Sequence, residues 1–515
     1  MKHLFALLFF GCSFWSLAQP NRIINIDFNE VEGLHNKSFR KSVGAGRAYE
    51  GLRADWQHQL AMVKEECGFE FMRLHGIFHE DMAVYSKSED GQTIYNWQYV
   101  DKLYDFLLSI GIKPFVELSF MPKALASGEQ TIFWWNSNVT PPNDYNAYGN
   151  LIQNFTEHLV ERYGEEEVGT WYFEVWNEPN HGGFFSGSME EYFKMYRAAA
   201  TAIKSVNQTY KVGGPASAGA GWIEEFIDYC ASNKVPLDFI SSHEYGVLGV
   251  LDVYGVRRIQ MVKDPNRVAN SVAQVAQWIN EGKIKPLEVH FTEWSSSYSP
   301  RDAVHDTYQN ATYVLNTLKF SEDIATSMSY WTFTDIFEEG GPPVTPFHGG
   351  FGLLNVQGIK KPTYYVYKYL NQLGSAELKN KDFNSWVCKE GSDVQALVWD
   401  FSYLYAKNRF NQTFYANEVP AKNKGAMEIV VKNLAKGIYV LEIYKTGYRQ
   451  NDPYTAYIDL GKPSQLNARQ VDYLMKKSAA VPILTEVHQI DSGTFSKTLE
   501  YRENDIFFLT LRKIN

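Results

Sequence analysis

Apolar runs alternate with helical patterns between residues 42 and 373, and eight repeats of this alternation predict an α/β fold, a (β/α)8 barrel. After residue 374 the helical patterns become rare, and short strands separated by turn-rich segments predict an antiparallel β-sandwich over residues 374–515. The length of 515 residues is sufficient for both domains.

The first 18 residues have the features of a cleavable signal peptide. Lys2 precedes an apolar stretch from Leu4 to Phe10, and small residues end at Ala18. The stretch is too short to span a membrane, and no later run reaches the roughly 20 residues required. We therefore expect removal of residues 1–18 and export to the periplasm or the extracellular space, with lipid attachment at Cys12 as the weaker alternative.

The elements that follow are predicted from their patterns. Residues 19–41 contain an alternating segment at 21–29, which is expected to join the sheet of the C-terminal domain. The predicted barrel strands of the domain at 42–373 are 42–47, 71–74, 113–118, 170–176, 211–215, 237–242, 287–292 and 327–333. The predicted strands of the sandwich are 385–389, 394–401, 427–431, 437–444 and 506–511, with one helix near 467–477.

Helical stripes lie between several barrel strands, and each ends at a glycine. The stripe at 97–108 ends at Gly111, the one at 148–159 ends at Gly164, and the one at 268–279 ends at Gly282. We interpret these stripes as core packing.

Charge and cysteine content limit the function classes. The net charge of −10 makes nucleic acid an unsuitable partner, because that would require a basic surface. Cys67, Cys230 and Cys388 are far apart and lack metal-ligand spacing, so we expect buried apolar cysteines with at least one free thiol.

Two carboxylates stand at the ends of predicted barrel strands. The run W-Y-F-E-V-W-N-E-P-N at residues 171–180 presents Glu178, and L-E-V-H-F-T-E-W at residues 287–294 presents Glu293. The C-terminal ends of the strands form the catalytic face of a barrel. Glycoside hydrolysis needs one neutral and one charged carboxyl group, and a separation of about 5–5.5 Å leads to retention of configuration.

Other polar and aromatic residues follow the same set of strands. An aromatic ring can stack on a sugar, an amide can bind its hydroxyl, and histidine or tyrosine can position a nucleophile. Trp331, Asn177, His243 and Tyr245 supply such groups at the predicted rim, and His75, Glu338 and Glu339 are further polar residues that follow the same strands.

Arg73 and the pair formed by His75 and His79 have alternative interpretations. Arg73 either supports Glu293 or only neutralises buried acids, and these roles are about equally compatible with the sequence. His75 and His79 have i, i+4 spacing, but Gly76 and the end of a strand argue against a helical zinc pair. No metal or cofactor is predicted.

The motifs together resemble glycoside hydrolase family 39, which contains β-xylosidases and α-L-iduronidases. They are R-L-H-G-I-F-H-E-D-M at 73–82, V-E-L-S-F-M-P at 116–122, W-N-E-P-N at 176–180 and F-H-G-G-F-G-L-L at 347–354. The resemblance implies that Glu178 is the acid/base and Glu293 the nucleophile. It also implies that the substrate is bound by His75, Asn177, His243, Tyr245, Trp331 and either Glu338 or Glu339, between which the sequence does not decide. The segments T-E-W-S-S-S-Y at 292–298 and V-H-D-T at 304–307 look more like the xylosidase branch.

These observations predict a retaining exo-glycosidase that releases β-D-xylosyl residues from oligosaccharides. A uronide or another glycoside as the substrate is the first alternative, and a non-catalytic carbohydrate-binding barrel is the second. The segments at 124–144 and 182–187 are expected to shape the pocket. The sequence leaves homo-oligomerisation open.

Overall fold

The computed structural model describes residues 21–514, and the predicted signal peptide lies outside them. Their strands are β1 Arg22–Asp27, β2 Val31–Leu34, β3 Ser42–Arg47, β4 Phe71–His75, β5 Tyr85–Lys87, β6 Thr93–Tyr95, β7 Lys113–Glu117, β8 Thr131–Ile132, β9 Ser137–Asn138, β10 Tyr172–Glu174, β11 Lys211–Ala218, β12 Phe239–Tyr245, β13 Val247–Leu251, β14 Arg257–Met261, β15 Glu288–Ser295, β16 Ser327–Tyr330, β17 Ala376–Leu378, β18 Ser385–Glu390, β19 Asp393–Trp399, β20 Asn423–Lys432, β21 Gly437–Thr446, β22 Leu484–Ile490, β23 Phe495–Arg502 and β24 Ile506–Lys513.

The helices lie mainly between the barrel strands. They are α1 Ala54–Cys67, α2 Gln98–Ser109, α3 Tyr145–Tyr163, α4 Glu165–Val168, α5 Met189–Val206, α6 Ile223–Asn233, α7 Arg267–Glu281, α8 Tyr308–Ser321, α9 Pro362–Asn371, α10 Asn411–Phe414, α11 Pro453–Asp459 and α12 Ala468–Lys477. The three predicted helical stripes correspond to α2, α3 and α7.

Eight parallel strands close into a barrel in the spatial order β3-β4-β7-β10-β11-β12-β15-β16. Each of the eight predicted barrel strands overlaps one of them, so the predicted fold class is confirmed. Parallel strands with helices between them place all eight C-terminal ends at one rim, where the candidate catalytic residues lie.

The C-terminal part forms two packed sheets. One has seven antiparallel strands in the order β2-β17-β18-β19-β24-β21-β22, and the other has the order β1-β20-β23. The N-terminal segment joins both sheets, since β1 pairs with β20 and β2 pairs with β17. The β1–β20 pair is parallel, unlike the antiparallel arrangement that the sequence predicts for this domain.

Local sequence signals explain why the helices begin and end where they do. Ser188 and Glu191 form a reciprocal capping box at the start of α5. Val268, Val272 and Ile279 form the buried face of α7, which ends before Gly282.

The two domains share buried side chains. Tyr369 of α9 stacks on Phe508 of β24 with ring centroids 4.9 Å apart. Cys67, Cys230 and Cys388 are buried free thiols, as predicted. Among residues 21–514, no helix has the length and apolarity required to cross a lipid bilayer.

Candidate active site

Glu178 and Glu293 face each other at the C-terminal rim of the barrel. Glu293 lies within β15, and Glu178 follows β10 after three irregular residues. Carboxylate oxygens of the two residues and a ring nitrogen of His243 all lie within 4.8 Å of one another. His243 Nδ1 is 3.0 Å from Glu178 Oε1 and 3.6 Å from Glu293 Oε2. The sequence-predicted carboxylates therefore form one cluster.

The backbone that presents Glu178 is strained. The regular strand ends at Glu174, and both Trp176 and Glu178 adopt left-handed conformations with φ of +76° and +44°. Such conformations cost roughly 1–3 kcal/mol each for non-glycine residues and persist where the surroundings fix them. Here the Trp176 indole donates to Phe184 O at 2.9 Å, and the Glu178 amide donates to Ala216 O at 2.9 Å.

Hydrogen-bond donors surround Glu293. Arg73 Nη1 donates to its Oε1 at 2.8 Å, and the Tyr245 hydroxyl donates to its Oε2 at 2.7 Å. His75 Nε2 is 3.4 Å from the same Oε1. These contacts stabilise negative charge on Glu293, as a nucleophilic carboxylate requires.

Glu178 has the opposite electrostatic environment. Burial, followed by the negative charge of Glu293, holds the pKa of Glu178 well above its ordinary value. The carboxyl is therefore protonated under conditions in which an ordinary glutamate is ionised. Two acids whose environments favour different protonation states divide the roles of acid and nucleophile.

A network of buried charges supports the pair. Arg73 contacts Glu174 at 2.5 Å and Glu117 at 2.8 Å in addition to Glu293. His75 Nδ1 contacts Glu117 at 2.8 Å. Burial alone lowers the pKa of His75, but Glu117 and the neighbouring acids raise it to about 10. His75 is thus a cation beside Glu293, and Arg73 contacts Glu293 and also neutralises buried acids.

Asn177 and Trp331 lie against the same network. Asn177 Oδ1 accepts a hydrogen bond from Arg73 Nη2 at 3.0 Å, which orients the amide and leaves its NH₂ group as a donor for a ligand. The Trp331 ring is 4.7 Å from the His75 ring and only 1% exposed. Gly44 permits this packing, because a Cβ there would lie 2.2 Å from Trp331 Cε3.

The structure distinguishes the two adjacent acids that the sequence does not. Glu339 Oε1 is 3.4 Å from His75 Nε2, and burial raises the pKa of Glu339 to about 7 although His75 opposes this. Glu338 instead binds Arg47 at 2.7 Å and Arg53 at 3.0 Å. Glu339 therefore belongs to the carboxylate cluster, and Glu338 belongs to an ion-pair group beside it.

Aromatic residues of two loops meet next to this cluster. Phe133, from the segment at 124–144, lies 5.8 Å from His75 and 5.5 Å from Phe184 of the segment at 182–187, measured between ring centroids. The amide of Trp134 donates to Glu339 O at 2.8 Å, which connects this loop to the loop after β16.

Three buried residues of the site were not among the sequence-predicted ones. Glu117 ends β7, Glu174 ends β10, and Thr292 precedes Glu293 in β15. Glu117 and Glu174 could have been found, because each is an acid at the end of an otherwise apolar strand. Thr292 gives no such signal, since threonine is common in strands.

Metal binding is the competing use of this cluster. Glu178, His243 and Glu293 are close enough to share an ion. However, the Arg73 guanidinium already occupies Glu293 Oε1, and the His75 cation lies 3.4 Å from that oxygen. Repulsion from two cations disfavours a metal ion at this position. A protonated acid opposite a stabilised carboxylate is instead the chemistry of a glycosidase.

Comparison with known proteins gives the family. The model for Glycosyl hydrolases family 39 matches residues 22–489. A β-xylosidase of Caldicellulosiruptor saccharolyticus is 39% identical over 463 residues, covering 88% of this chain and 91% of that protein. A β-xylosidase of Geobacillus stearothermophilus is 34% identical over 508 residues, covering 96% of each. The crystal structure of a monomeric β-xylosidase from Caulobacter crescentus CB15 superposes with a TM-score of 0.93 at 38% identity, covering 96% of this chain and 100% of that one.

The chain belongs to glycoside hydrolase family 39 and is a glycosidase.

Proposed function

We propose that the protein is a retaining β-xylosidase that removes terminal β-D-xylosyl residues from oligosaccharides. The observation that supports retention is the proximity of Glu178 and Glu293, whose carboxylate oxygens lie within 4.8 Å. Inverting enzymes hold their carboxyl groups about 6.5–9.5 Å apart to accommodate a water molecule, whereas retaining enzymes hold them at about 5–5.5 Å.

The reaction has two displacement steps. Glu293 attacks the anomeric carbon, the glycosidic C–O bond breaks, and the proton of Glu178 moves to the leaving oxygen. A water molecule then attacks the anomeric carbon of the glycosyl-enzyme while Glu178 accepts its proton. The Glu293 carboxylate is released, and the sugar leaves with its original configuration.

The sugar is inferred from the relatives and from the charges at the rim. The two curated relatives reported above are β-xylosidases. A uronide would need a cation for its carboxylate, and the two arginines next to Glu338, Arg47 and Arg53, are already paired with that acid. Exo action is inferred in the same way from these β-xylosidases.

The test is product release from an aryl β-D-xyloside by the protein beginning at residue 19, followed by NMR identification of the first anomer formed. We expect turnover and a β-configured first product. An α-configured first product would contradict retention. Turnover of an aryl α-L-iduronide in place of the xyloside would contradict the proposed sugar, and binding without hydrolysis of any glycoside would indicate a carbohydrate-binding barrel.

The two adjacent acids provide a matched pair of variants. Glu339→Gln is expected to lower kcat/KM for the xyloside by about 10- to 100-fold, because Glu339 contacts His75 beside the nucleophile. Glu338→Gln makes the same substitution one residue away, but it affects only the ion pairs with Arg47 and Arg53. We expect it to change kcat/KM by less than about 3-fold while lowering thermal stability. Equal loss of kcat/KM in both variants would contradict this assignment.

A further inference from the structure

A chain of hydrogen bonds leads from Glu178 into the barrel. Glu178 Oε1 lies 3.0 Å from His243 Nδ1, and His243 Nε2 lies 3.1 Å from Thr292 Oγ1. The Thr292 hydroxyl donates to Glu174 Oε1 at 2.7 Å. His243, Thr292 and Glu174 are fully buried, so the side chains in this chain depend on each other for hydrogen bonds.

Glu174, at the inner end of this hydrogen-bond series, determines which group donates in each of the hydrogen bonds. Arg73 Nε donates to Glu174 Oε2 at 2.5 Å. Burial raises the pKa of Glu174 above its ordinary value although Arg73 opposes this, so the carboxylate form rests on the direct ion pair with the Arg73 guanidinium, which is always charged. A threonine hydroxyl has one hydrogen, and the carboxylate takes it. Thr292 Oγ1 must therefore accept from His243, which requires the tautomer protonated at Nε2.

We propose that Thr292 is a positioning residue that, by fixing the tautomer of His243, holds the catalytic proton on Glu178. With Nε2 protonated, Nδ1 of neutral His243 has only a lone pair to offer, so Glu178 Oε1 must be the donor across the 3.0 Å contact. A deprotonated Glu178 would place a carboxylate oxygen against this lone pair with no hydrogen between them, which is unfavourable. This role rests on the proposed function, in which Glu178 is the acid.

The charges around His243 are compatible with its neutral form. Glu178 and Glu293 face its Nδ1, and Thr292 faces its Nε2. Burial first, and then the cations Arg73 and His75, hold the pKa of His243 well below its ordinary value. The His243 lone pair acts in both steps of the reaction. In the first step Glu178 gives its proton to the leaving oxygen, and in the second step the same lone pair favours the return of a proton from water to Glu178.

Thr292→Val and Thr292→Ser test the proposal. Valine has nearly the shape of threonine without the hydroxyl, and serine retains the hydroxyl. In Thr292→Val, His243 is free to protonate Nδ1 and donate to the Glu178 carboxylate. We expect the alkaline limb of the kcat/KM profile to move down by about one pH unit. Thr292→Ser should retain the wild-type limb.

Leaving groups separate this role from a general structural one. Acid catalysis is needed for an alkyl xyloside but little for a dinitrophenyl xyloside, whose leaving group departs as an anion. We expect Thr292→Val to lose about 10- to 100-fold in kcat/KM on the alkyl xyloside and less than about 3-fold on the dinitrophenyl xyloside. Equal losses on both substrates, or a valine variant that behaves like the serine variant, would overturn the proposal.

A second readout does not depend on catalysis. NMR of 15N-histidine-labelled protein, with the His243 signals assigned by comparison with His243→Asn, reports which ring nitrogen is protonated. We expect Nε2 protonation in the wild type and in Thr292→Ser, and loss of that preference in Thr292→Val. Wild-type protein that is protonated at Nε2 of His243 but has no glycosidase activity would refute the proposed function and leave the role of Thr292 intact. Active wild-type protein that is protonated at Nδ1 would refute the role of Thr292 and leave the proposed function intact.

Discussion

Replacing Glu293 by alanine is expected to lower turnover of an aryl β-D-xyloside by about 10⁴-fold or more, because no other group can form the glycosyl-enzyme. Arg73, Tyr245 and His75 would remain around an empty position. Initial rates measured beside the wild-type protein, with unfolding temperatures as a check on folding, provide the comparison.

Glu288→Gln is the matched control for this variant. Glu288 begins the same strand at the opposite end of the barrel, where it pairs with Lys211 at 2.6 Å. We expect its activity to remain within about 2-fold of the wild type, as for most substitutions distant from a site. An activated 2-deoxy-2-fluoro-xyloside should add one sugar mass to the peptide that contains Glu293. Labelling of another residue, or full activity of Glu293→Ala, would rule out this nucleophile.

The sequence predicted the barrel well because each strand is a short apolar run bounded by turn residues. The strand at 170–176 was the least accurate of these predictions, since regular structure covers only Tyr172–Glu174. The remaining residues contain the left-handed Trp176, which is held by a contact with Phe184. A conformation imposed by a residue eight positions away cannot be inferred from local propensity.

In the C-terminal domain, the sequence did not indicate β22 and β23. Only Ile490 of β22, and Phe495 and Tyr501 of β23, are buried, so neither strand has the apolar pattern of a core strand. The hairpin formed by β13 and β14 was also missed, because it is inserted between β12 and α7 where the repeat predicts only a loop. In each case tertiary pairing rather than a strong local pattern creates the strand.

In the site, too, some residues could be predicted from the local sequence and others depend on tertiary contacts. Residues at the strand ends could be found because parallel strands bring their C-terminal ends together. The choice between Glu338 and Glu339 depends on Arg47, which ends β3, and on Arg53, which directly precedes α1. Because these partners are almost 300 residues away, the local sequence around either acid does not indicate them.

Replacing Arg73 by methionine is expected to lower the free energy of unfolding by about 3–5 kcal/mol, the usual cost of leaving buried charges without their partner. Arg73 is fully buried and contacts Glu117, Glu174 and Glu293. Methionine fills similar space without charge, so the variant reports the loss of the cation. Arg73→Lys retains the charge but loses the planar fork, and we expect an intermediate loss. Denaturant or thermal unfolding of the three proteins measures these differences.

The pH dependence of that loss has a definite sign. In the wild type, burial raises the pKa of Glu117, but Arg73 and His75 bring it below its ordinary value. The ionised Glu117 therefore stabilises the fold above its unfolded pKa of about 4.3, and this contribution disappears as the pH falls through the folded pKa. Without Arg73, burial dominates and the folded pKa of Glu117 rises above the unfolded value. Its contribution is then present only at acid pH and is lost as the pH increases. The stability difference between wild type and Arg73→Met should therefore be larger at pH 8 than at pH 5, and an equal difference at both would show that Arg73 stabilises the barrel through packing and not through its charge.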